Sequence, residues 1–270
     1  CYGMVNFIGC YIFSRLKKIP LIVSFHNVTD IKIYKKIKFI KKLLSRCLEI
    51  WVCSVELRIE IEKDLKIPIF YRPTGYDPED FYNLKVEGRF EKHNLISVGS
   101  FKWKKNLKTL IYALKILKND GIILSLTLVG NGPLKNELKL LAKELKLSDQ
   151  IKFTGNISQK EILIELNNST LFILPSLAEG RPKAVLEALA TGLPVIVSKE
   201  CNCADIVTKA GVVLKKNTPK LISKAIKDLL SNKQKWSSMS EEGLKNIISS
   251  RWEEIARVEQ TRLNKILFQF

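Results

Sequence analysis

The stretch LFILPSLAEGRPKAVLEALATGLPVIV, residues 171–197, predicts more about the fold than any other part of the chain. Its first four residues form an apolar run that is typical of a buried strand. Pro182 indicates the first turn of a helix, because proline lacks an N–H and has a fixed φ. Gly192 can end that helix in the left-handed conformation, and residues 193–197 predict the next strand. The stretch therefore predicts a strand–helix–strand unit.

Two carboxylates flank the start of this helix. Glu179 lies in the loop before it, and Glu187 lies about 7–8 Å along its axis at 1.5 Å per residue. A helix N-terminus offers free N–H groups and a positive dipole end, which suit a phosphate. Either acid alone is most simply a solvated charge. The two acids together, at a strand–helix junction, indicate a site for a phosphate flanked by hydroxyls.

Apolar runs alternate with amphipathic segments along most of the chain, with a break between residues 77 and 93. Continuous apolar strands between helices are typical of parallel sheets covered on both faces. The sequence therefore predicts an α/β protein with two doubly wound domains, whose ligands bind beyond the carboxyl ends of the strands. We predict a partial first domain over residues 1–88, a second domain over 89–248 and a C-terminal helix over 249–270.

Glycines and polar residues follow four predicted strands of the second domain. The strand over residues 95–98 is followed by Gly99-Ser100 and the lysines of residues 102–105. The next two strands are followed by Gly130-Asn-Gly-Pro133 and by Thr154-Gly-Asn156. The fourth leads to Glu179. One Gly-x-Gly is weak evidence, but four such loops at one sheet edge predict a binding site there.

The charge of the chain is strongly basic. Its 45 Lys and Arg residues against 27 Asp and Glu give a formal charge of +18, and residues 15–46 hold ten Lys or Arg against Asp30 alone. This cluster favours an anionic partner, although a lysine-rich background explains it equally well. Residues 33–48 have the spacing of an amphipathic helix. Core packing is the simpler interpretation, and contact of a basic helix over 32–48 with an anionic membrane surface is the alternative.

The six cysteines show neither disulfide nor zinc spacing, and two histidines do not make a metal cluster. We therefore expect no metal, reduced thiols and a cytoplasmic location. The apolar residues 1–13 lack a preceding basic region and are shorter than the roughly 20 residues of a spanning helix, so we expect no signal peptide and no spanning segment. We expect the tryptophans at 103, 236 and 252 to be packing residues.

The sequence resembles the retaining glycosyltransferases of family 4, which have the GT-B architecture of two Rossmann-like domains facing a cleft. The resemblance covers the chain from about residue 19 and includes the first domain only as its later half. The segments that carry it are Val98-Gly99…Lys105-Asn106, Val129-Gly-Asn-Gly-Pro133, Phe153-Thr-Gly155, Leu174-Pro-Ser176 and Glu179-Gly…Glu187-Ala-Leu-Ala-Thr-Gly-Leu-Pro194-Val.

The resemblance also implies roles for individual residues. Glu187 would bind ribose hydroxyls, Glu179 would hold the hydroxyls of the transferred hexose, and Lys105 would pair with the diphosphate. His26 would lie on the opposite wall, near the sugar and the acceptor. The other residues implied in donor binding are Gly99, Ser100, Gly130, Gly132, Asn156, Ile157, Gly180, Arg181, Pro182 and Lys183, together with the N–H groups of Val185 and Leu186.

The implied reaction moves a hexose from a UDP-, GDP- or ADP-sugar to a glycan or glycolipid acceptor, without a metal or cofactor. We expect it in the cytoplasm, with a peripheral position on the inner face of the membrane as the alternative. Two departures from the family are Ser100, where an arginine is usual, and Asp205, where a glutamate is usual. Ser100 and the absent first half of the N-terminal domain keep open a truncated, non-catalytic module that binds a nucleotide sugar. Charge alone would favour a nucleic-acid-binding protein, but no nucleic-acid motif accompanies it.

Overall fold

The computed structural model describes residues 6–26 and 36–268, and they form two compact units. The first unit consists of residues up to Thr74, Glu179–Arg181 and the chain from Ile255 onward. The second consists of Gly75–Ala178 and Pro182–Glu254. Residues 75–88, which were predicted to belong to the first domain, thus belong to the second unit. The C-terminal helix is divided, and its larger part belongs to the first unit.

The second unit contains a parallel six-stranded sheet in the order β6-β5-β4-β7-β8-β9. The strands predicted to carry the ligand loops, β4 to β7, are therefore neighbours, with their carboxyl ends at one edge. The strands are β4 (Asn94–Val98), β5 (Ser125–Val129), β6 (Ile151–Gly155), β7 (Leu171–Leu174), β8 (Val195–Ser198) and β9 (Gly211–Leu214).

Helices cover both faces of this sheet. Alternate residues of the central strands enter two separate apolar clusters, so that Leu95 of β4 packs in one cluster and Ile96 in the other. Continuous apolar strands follow from this double burial. The helices are α4 (Leu107–Asn119), α5 (Lys135–Glu144), α6 (Gln159–Asn167), α7 (Lys183–Ala190), α8 (Ala204–Val207), α9 (Pro219–Leu230) and α10 (Lys233–Asn246).

The deciding stretch folds as the sequence predicts, with small shifts at the ends. Pro182 caps α7 rather than lying inside its first turn, with a φ of −70°. At the other end Gly192 has a φ of +68°, a conformation that favours glycine. Its N–H donates to the carbonyl of Leu189 at 2.9 Å. Pro182 and Gly192 thus mark the two ends of α7.

The first unit contains a parallel three-stranded sheet in the order β1-β2-β3. Its apolar core includes Phe7, Phe25 and Leu44, all fully buried. Its elements are α1 (Phe7–Lys17), β1 (Ile22–Phe25), α2 (Lys38–Leu44), β2 (Glu49–Val52), α3 (Val55–Glu62) and β3 (Ile69–Tyr71), with α11 (Trp252–Leu267) crossing between the two sets of residues.

Several sequence expectations need correction here. The amphipathic helix expected over residues 33–48 ends at Leu44, because Ser45–Leu48 turn into β2; residues 27–35 lie outside the described part. The strand β3 was not predicted, because its three half-buried residues are too few to show a pattern. The expectation that Trp103 packs internally is wrong, because it is 71% exposed. Trp236, by contrast, packs against Phe90.

No helix in the described part of the chain is both long enough and apolar enough to cross a membrane.

Candidate functional site

The loops that follow β4 and β5 are bound to each other through their backbones. The N–H of Gly99 donates to the carbonyl of Val129 at 2.9 Å, and the N–H of Phe101 donates to the carbonyl of Asn131 at 2.9 Å. A Cβ at Gly130 would lie 2.1 Å from the carbonyl oxygen of Gly99, so only glycine fits. The packing of the two loops therefore accounts for Gly130 without a ligand.

Lys105 lies directly over the end of β4. A Cβ built on Gly99 would come 3.2 Å from Cε and 3.4 Å from Nζ of Lys105, so the side chain rests on the bare glycine backbone. Lys105 ends a 3₁₀ turn that begins at Trp103, and Asn106 follows it with a φ of +53° before α4 starts. The lysine therefore places a positive charge at the carboxyl edge of the sheet, beside the N-terminus of a helix.

Glu187 is a buried acid on α7. The residue is 7% exposed, and its carboxylate lies 3.4 Å from the ammonium of Lys183 one turn earlier. Burial raises the pKa of Glu187, an effect that the charge of Lys183 opposes and the nearby Asp80 supports. Burying such a carboxylate lowers the stability of the folded state, because burial disfavours the charged form. Such a group is a candidate for binding a ligand.

The N–H groups of α7 are partly engaged. The N–H of Val185 donates to the carbonyl of Pro182 at 3.1 Å, so it would have to give up this bond to reach a phosphate. The side chains of Val185 and Leu186 are fully buried in the apolar core. These contacts fix α7 against the sheet and weaken the expectation for the N–H group of Val185.

Side chains at and beyond the ends of β8 and β9 hold the loop that follows β7. Cys201 Sγ lies 3.4 Å from the carbonyl oxygen of Leu174, and the amide of Asn217 donates to the carbonyl of Pro175. The hydroxyl of Ser198 donates to the carbonyl of Ser176. Sequence reasoning missed these donors, because they lie 22 to 42 positions away from the carbonyls that they bind.

Gly180 belongs to the first unit, where it lies against the end of β1. A Cβ at Gly180 would lie 1.9 Å from the carbonyl oxygen of His26 and 3.2 Å from Cys53 Sγ. Cys53 Sγ itself lies 3.5 Å from that same carbonyl oxygen. The glycine of the Glu179-Gly180 pair is thus required by backbone packing, which a sequence motif cannot distinguish from a requirement for ligand binding.

His26 lies at the edge of a pocket of about 380 Å³ in the first unit. Its Nε2 is 2.7 Å from the hydroxyl of Ser24, and both burial and the charge of Arg72 lower its pKa. Arg72 donates from Nε to a carboxylate oxygen of Glu259 on α11 at 2.7 Å. The remaining pocket residues are Ile22, Trp51 and Leu263. The pocket therefore combines apolar side chains with a histidine of lowered pKa and an ion pair.

The other predicted site residues are distributed as follows. Arg181 is buried in the first unit with its guanidinium 5.8 Å from the ring centre of Tyr71. Ser100 is half-buried after β4, and Asn156 is exposed and Ile157 half-buried after β6. Gly132 packs against Phe101, whose carbonyl oxygen would lie 2.7 Å from an added Cβ. In the described residues 6–26 and 36–268, His, Cys, Asp and Glu form no group suited to a metal ion.

The family model described as "Glycosyl transferases group 1" matches residues 83–246. The chain therefore belongs to this family. The match covers most of the second unit, including the loops after β4 to β7 and the whole of α7.

Two relatives illustrate the similarity to named proteins. The amylovoran biosynthesis glycosyltransferase AmsK of Erwinia amylovora is 35% identical over 140 residues, which cover 49% of this chain and 34% of AmsK. The alpha-monoglucosyldiacylglycerol synthase of Streptococcus pneumoniae is 24% identical over 216 residues, which cover 71% of this chain and 49% of the synthase. The chain thus spans between a third and a half of the length of these relatives.

Solved structures share the fold across the chain. Anabaena Alr3699/HepE in complex with UDP superposes with a TM-score of 0.82 at 16% identity, covering 100% of this chain and 78% of that one. At this identity the likeness concerns the fold alone. It confirms the GT-B class that the sequence predicted.

Proposed function

We propose that the chain contributes the donor-binding part of a retaining glycosyltransferase, which moves a hexose from a nucleoside diphosphate sugar to a glycan or lipid-linked acceptor. The observation that carries the proposal is the placement of Lys105 against Gly99 at the carboxyl end of β4. The buried carboxylate of Glu187 on the helix that follows the neighbouring strand β7 supports it. In this proposal Lys105 binds the diphosphate, and Glu187 binds the hydroxyls of the ribose.

The leaving diphosphate gains negative charge as its bond to the anomeric carbon breaks. Lys105 stabilises this charge together with N–H groups at the start of α7, and such preorganised donors lower the barrier directly. The acceptor hydroxyl forms the new bond to the anomeric carbon, and its proton passes to the leaving phosphate oxygen. We propose that this stabilisation proceeds without a metal ion, so that activity persists in EDTA.

Glu179 and His26 complete the assignment through their match to the family motifs. We propose that Glu179 binds hydroxyls of the transferred hexose and that His26 contacts the sugar or the acceptor. UDP in a complex of a structural neighbour makes UDP-sugars the first donors to try. The names of the amylovoran and diacylglycerol relatives make a surface polysaccharide or a glycolipid the first acceptors to try.

Nucleotide binding by calorimetry tests the donor assignment. UDP, GDP and ADP are titrated into the protein, and we expect Glu187→Ala to weaken the binding of one of them by about 10- to 100-fold, as expected for a lost hydrogen bond to a charged group. Glu144→Ala, which removes an exposed acid at the end of α5, is the matched control. Equal affinities of the two variants would exclude Glu187 from the site.

Turnover of the matching nucleotide sugar tests the role of Lys105. We expect Lys105→Ala to lower turnover by about 10²–10³-fold, the usual effect of removing one stabilising donor. Lys143→Ala, which removes an exposed lysine of α5, should leave turnover unchanged. Tight binding of a nucleotide sugar without turnover in wild-type protein would instead identify a non-catalytic module.

We also propose that the basic surface of the first unit contacts an anionic membrane. Phe39 on α2 is 60% exposed between lysines at 38, 41 and 42. The same unit contains a pocket of about 560 Å³ that is lined by Arg15, Lys18 and Arg46. The positive charges of these residues suit phosphate headgroups. An exposed aromatic ring among lysines is typical of interfacial helices.

Liposome flotation tests this contact. We expect binding to phosphatidylglycerol vesicles and not to phosphatidylcholine vesicles, and Phe39→Ser should reduce it. Ile123→Ser, which removes a 63% exposed apolar residue of the second unit, is the control. Flotation that ignores lipid charge would contradict the proposal.

A further inference from the structure

The pocket of about 560 Å³ lies at the amino edge of the sheet in the first unit. Leu21 and Leu48 line it and directly precede β1 and β2. The N–H of Leu48 donates to the carbonyl of Leu21 at 2.9 Å, which joins the two strands at this edge. His26 follows the other end of the four-residue strand β1, about 13 Å away at 3.3 Å per residue. The pocket is therefore separate from the one that His26 lines.

Three cations from two segments of the chain line this pocket. Arg15 and Lys18 lie at the end of α1, and Arg46 lies in the turn between α2 and β2. None of the described residues that line the pocket is acidic, and within residues 6–26 and 36–268 no ion pair engages the three side chains. Cations at a helix C-terminus also complement its dipole, but that role does not account for Arg46. Three positive charges around one cavity favour a phosphate group.

Contacts within the protein shape the wall of the pocket that carries Lys18. The hydroxyl of Ser14 donates to the carbonyl of Ile19 at 2.6 Å, and the N–H of Ile19 donates to the carbonyl of Ser14 at 3.0 Å. Lys18 lies between them with a φ of +55°, and its N–H donates to the last carbonyls of α1. These bonds hold Lys18 beside Arg15, so this wall forms without a ligand.

Exposed apolar side chains run along α1 beside the cationic pocket. Ile12 and Leu16, one helical turn apart, are 53% and 76% exposed. Arg15 follows Ile12 by three residues and is therefore its neighbour on the helix surface. Ile19, which is 51% exposed, lines the pocket itself. An exposed apolar patch marks an interaction surface, and this one continues the rim of the pocket.

We propose that this pocket binds the phosphate group of a membrane lipid, whose acyl chains lie along Ile12 and Leu16. The ligand class is a phosphate monoester on an apolar chain. Such a group carries about 1.5 to 2 negative charges near pH 7 and can accept bonds from all three cations. A free phosphate would leave the apolar row uncovered. The lipid source rests on the proposed membrane contact, to which the pocket adds a defined headgroup site.

Calorimetry with dihexanoyl phosphatidic acid, kept below the concentration at which it forms micelles, tests the pocket without a membrane surface. We expect saturable binding, and no saturable binding of dihexanoyl phosphatidylcholine, whose phosphate diester carries a cationic group. Inorganic phosphate is the third probe, and binding as tight as that of the lipid would overturn the lipid assignment. A lack of saturable binding of phosphatidic acid would overturn the pocket, even where the protein floats with phosphatidylglycerol vesicles.

Variants of the cations test the pocket residue by residue. Lys18→Gly and Arg46→Gln should each weaken the binding of dihexanoyl phosphatidic acid by about 3- to 10-fold, the value of one ordinary hydrogen bond. Glycine suits the φ of +55°, so Lys18→Gly removes the cation without harming the turn. Lys66→Gln, which removes an exposed lysine before β3 at the same edge of the sheet, is the matched control. Equal affinities of all three variants would refute the pocket.

Vesicle flotation tests the apolar row. Leu16→Ser should reduce flotation with phosphatidylcholine vesicles that contain phosphatidic acid. Ile59→Ser, which removes a 50% exposed apolar residue of α3, should leave it unchanged. Unchanged flotation of Leu16→Ser, or no flotation of the wild-type protein, would overturn the lipid source. A wild-type dimer that Leu16→Ser disperses would assign the row to a second copy of the chain and overturn it equally.

Discussion

The loops of the second unit and the distant segments of the first unit are held by different kinds of contact. At the carboxyl edge of the second unit, neighbouring loops bind through their backbones, as Gly99 and Gly130 do. The first unit is joined by ion pairs between distant positions: Arg72 with Glu259 are 187 residues apart, and Glu49 with Arg262 are 213 apart. Backbone packing leaves a local signature of glycines in the sequence, whereas a distant ion pair leaves none.

The largest effect is expected from a charged residue of the second unit. Arg89 is 6% exposed and donates to the carbonyls of Leu166, Ser169 and Thr191 at 2.6–2.7 Å. Burial lowers its pKa to about 10, which still leaves it charged at neutral pH. Arg89→Ala should lower the free energy of unfolding by at least about 3 kcal/mol, because three buried acceptors lose their donor.

Urea denaturation measures this loss. Arg89→Lys should recover little of it, since one ammonium cannot reach three separated carbonyls. Lys92→Ala, which removes an exposed lysine, is the control and should change stability by less than about 0.5 kcal/mol. A fully stable Arg89→Ala protein would show that these three hydrogen bonds do not stabilise the second unit.

The second prediction concerns the ion pair of the first unit. Glu49 is 2% exposed and is bound by Arg262 and by Nε1 of Trp51 at 2.8 Å. Arg262→Ala should cost about 3 kcal/mol of unfolding free energy, because a buried carboxylate loses its counter-charge. Adding Glu49→Gln should recover part of the loss, since it removes that charge. No recovery in the double variant would assign the effect to the packing of Arg262 on Phe70 instead.

A glycine substitution probes the backbone contact that the first unit does have. Gly180→Ala should destabilise the protein by about 1–3 kcal/mol, because its Cβ would lie 1.9 Å from the carbonyl oxygen of His26. Gly9→Ala is the matched control within the same unit. Gly9 lies in α1 with nothing within 4 Å of an added Cβ, so alanine should stabilise the helix by about 0.5–1 kcal/mol. Equal effects of the two alanines, measured by thermal unfolding, would contradict the contact.

The same difference explains what could be predicted from the sequence. In the second unit, strands buried on both faces give continuous apolar runs, and the run 171–174 matches β7 residue for residue. The left-handed end of α7 was also predictable, because Gly192 follows its last turn. In the first unit, β3 has three half-buried residues and no readable period, so it was missed. The pattern of apolar residues along a strand reflects which side chains are buried, and all three residues of β3 are only half-buried.

The residues of the candidate site also fall into those that a local sequence motif marks and those that it does not. Lys105 and Glu187 could be selected because they stand in glycine-rich and alanine-rich motifs. Asn217 could not, because its partner is a carbonyl 42 residues away. The exposure of Trp103 also escaped prediction, since a tryptophan is usually buried at least in part. Motifs identify chemistry-bearing side chains but not the residues that hold them.

The smallest expected effect has the opposite sign and concerns Glu187. Its pKa is raised by burial from the ordinary value of 4.5, so the folded protein binds more protons than the unfolded chain just above that pH. Stability therefore falls as the pH rises through this interval and stays reduced at neutral pH. Glu187→Gln removes the buried charge, so the variant should be more stable than wild type at pH 7.5 and nearly equal at pH 4.5, while its nucleotide affinity drops.

Glu161→Gln is the control, because the pKa of Glu161 is lowered by its bonds to Ser158. For Glu161 the contribution to stability is therefore expected to rise with pH instead of falling. If Glu187→Gln were less stable at pH 7.5, the pair with Lys183 would outweigh burial, and Glu187 would be a structural rather than a ligand-binding acid.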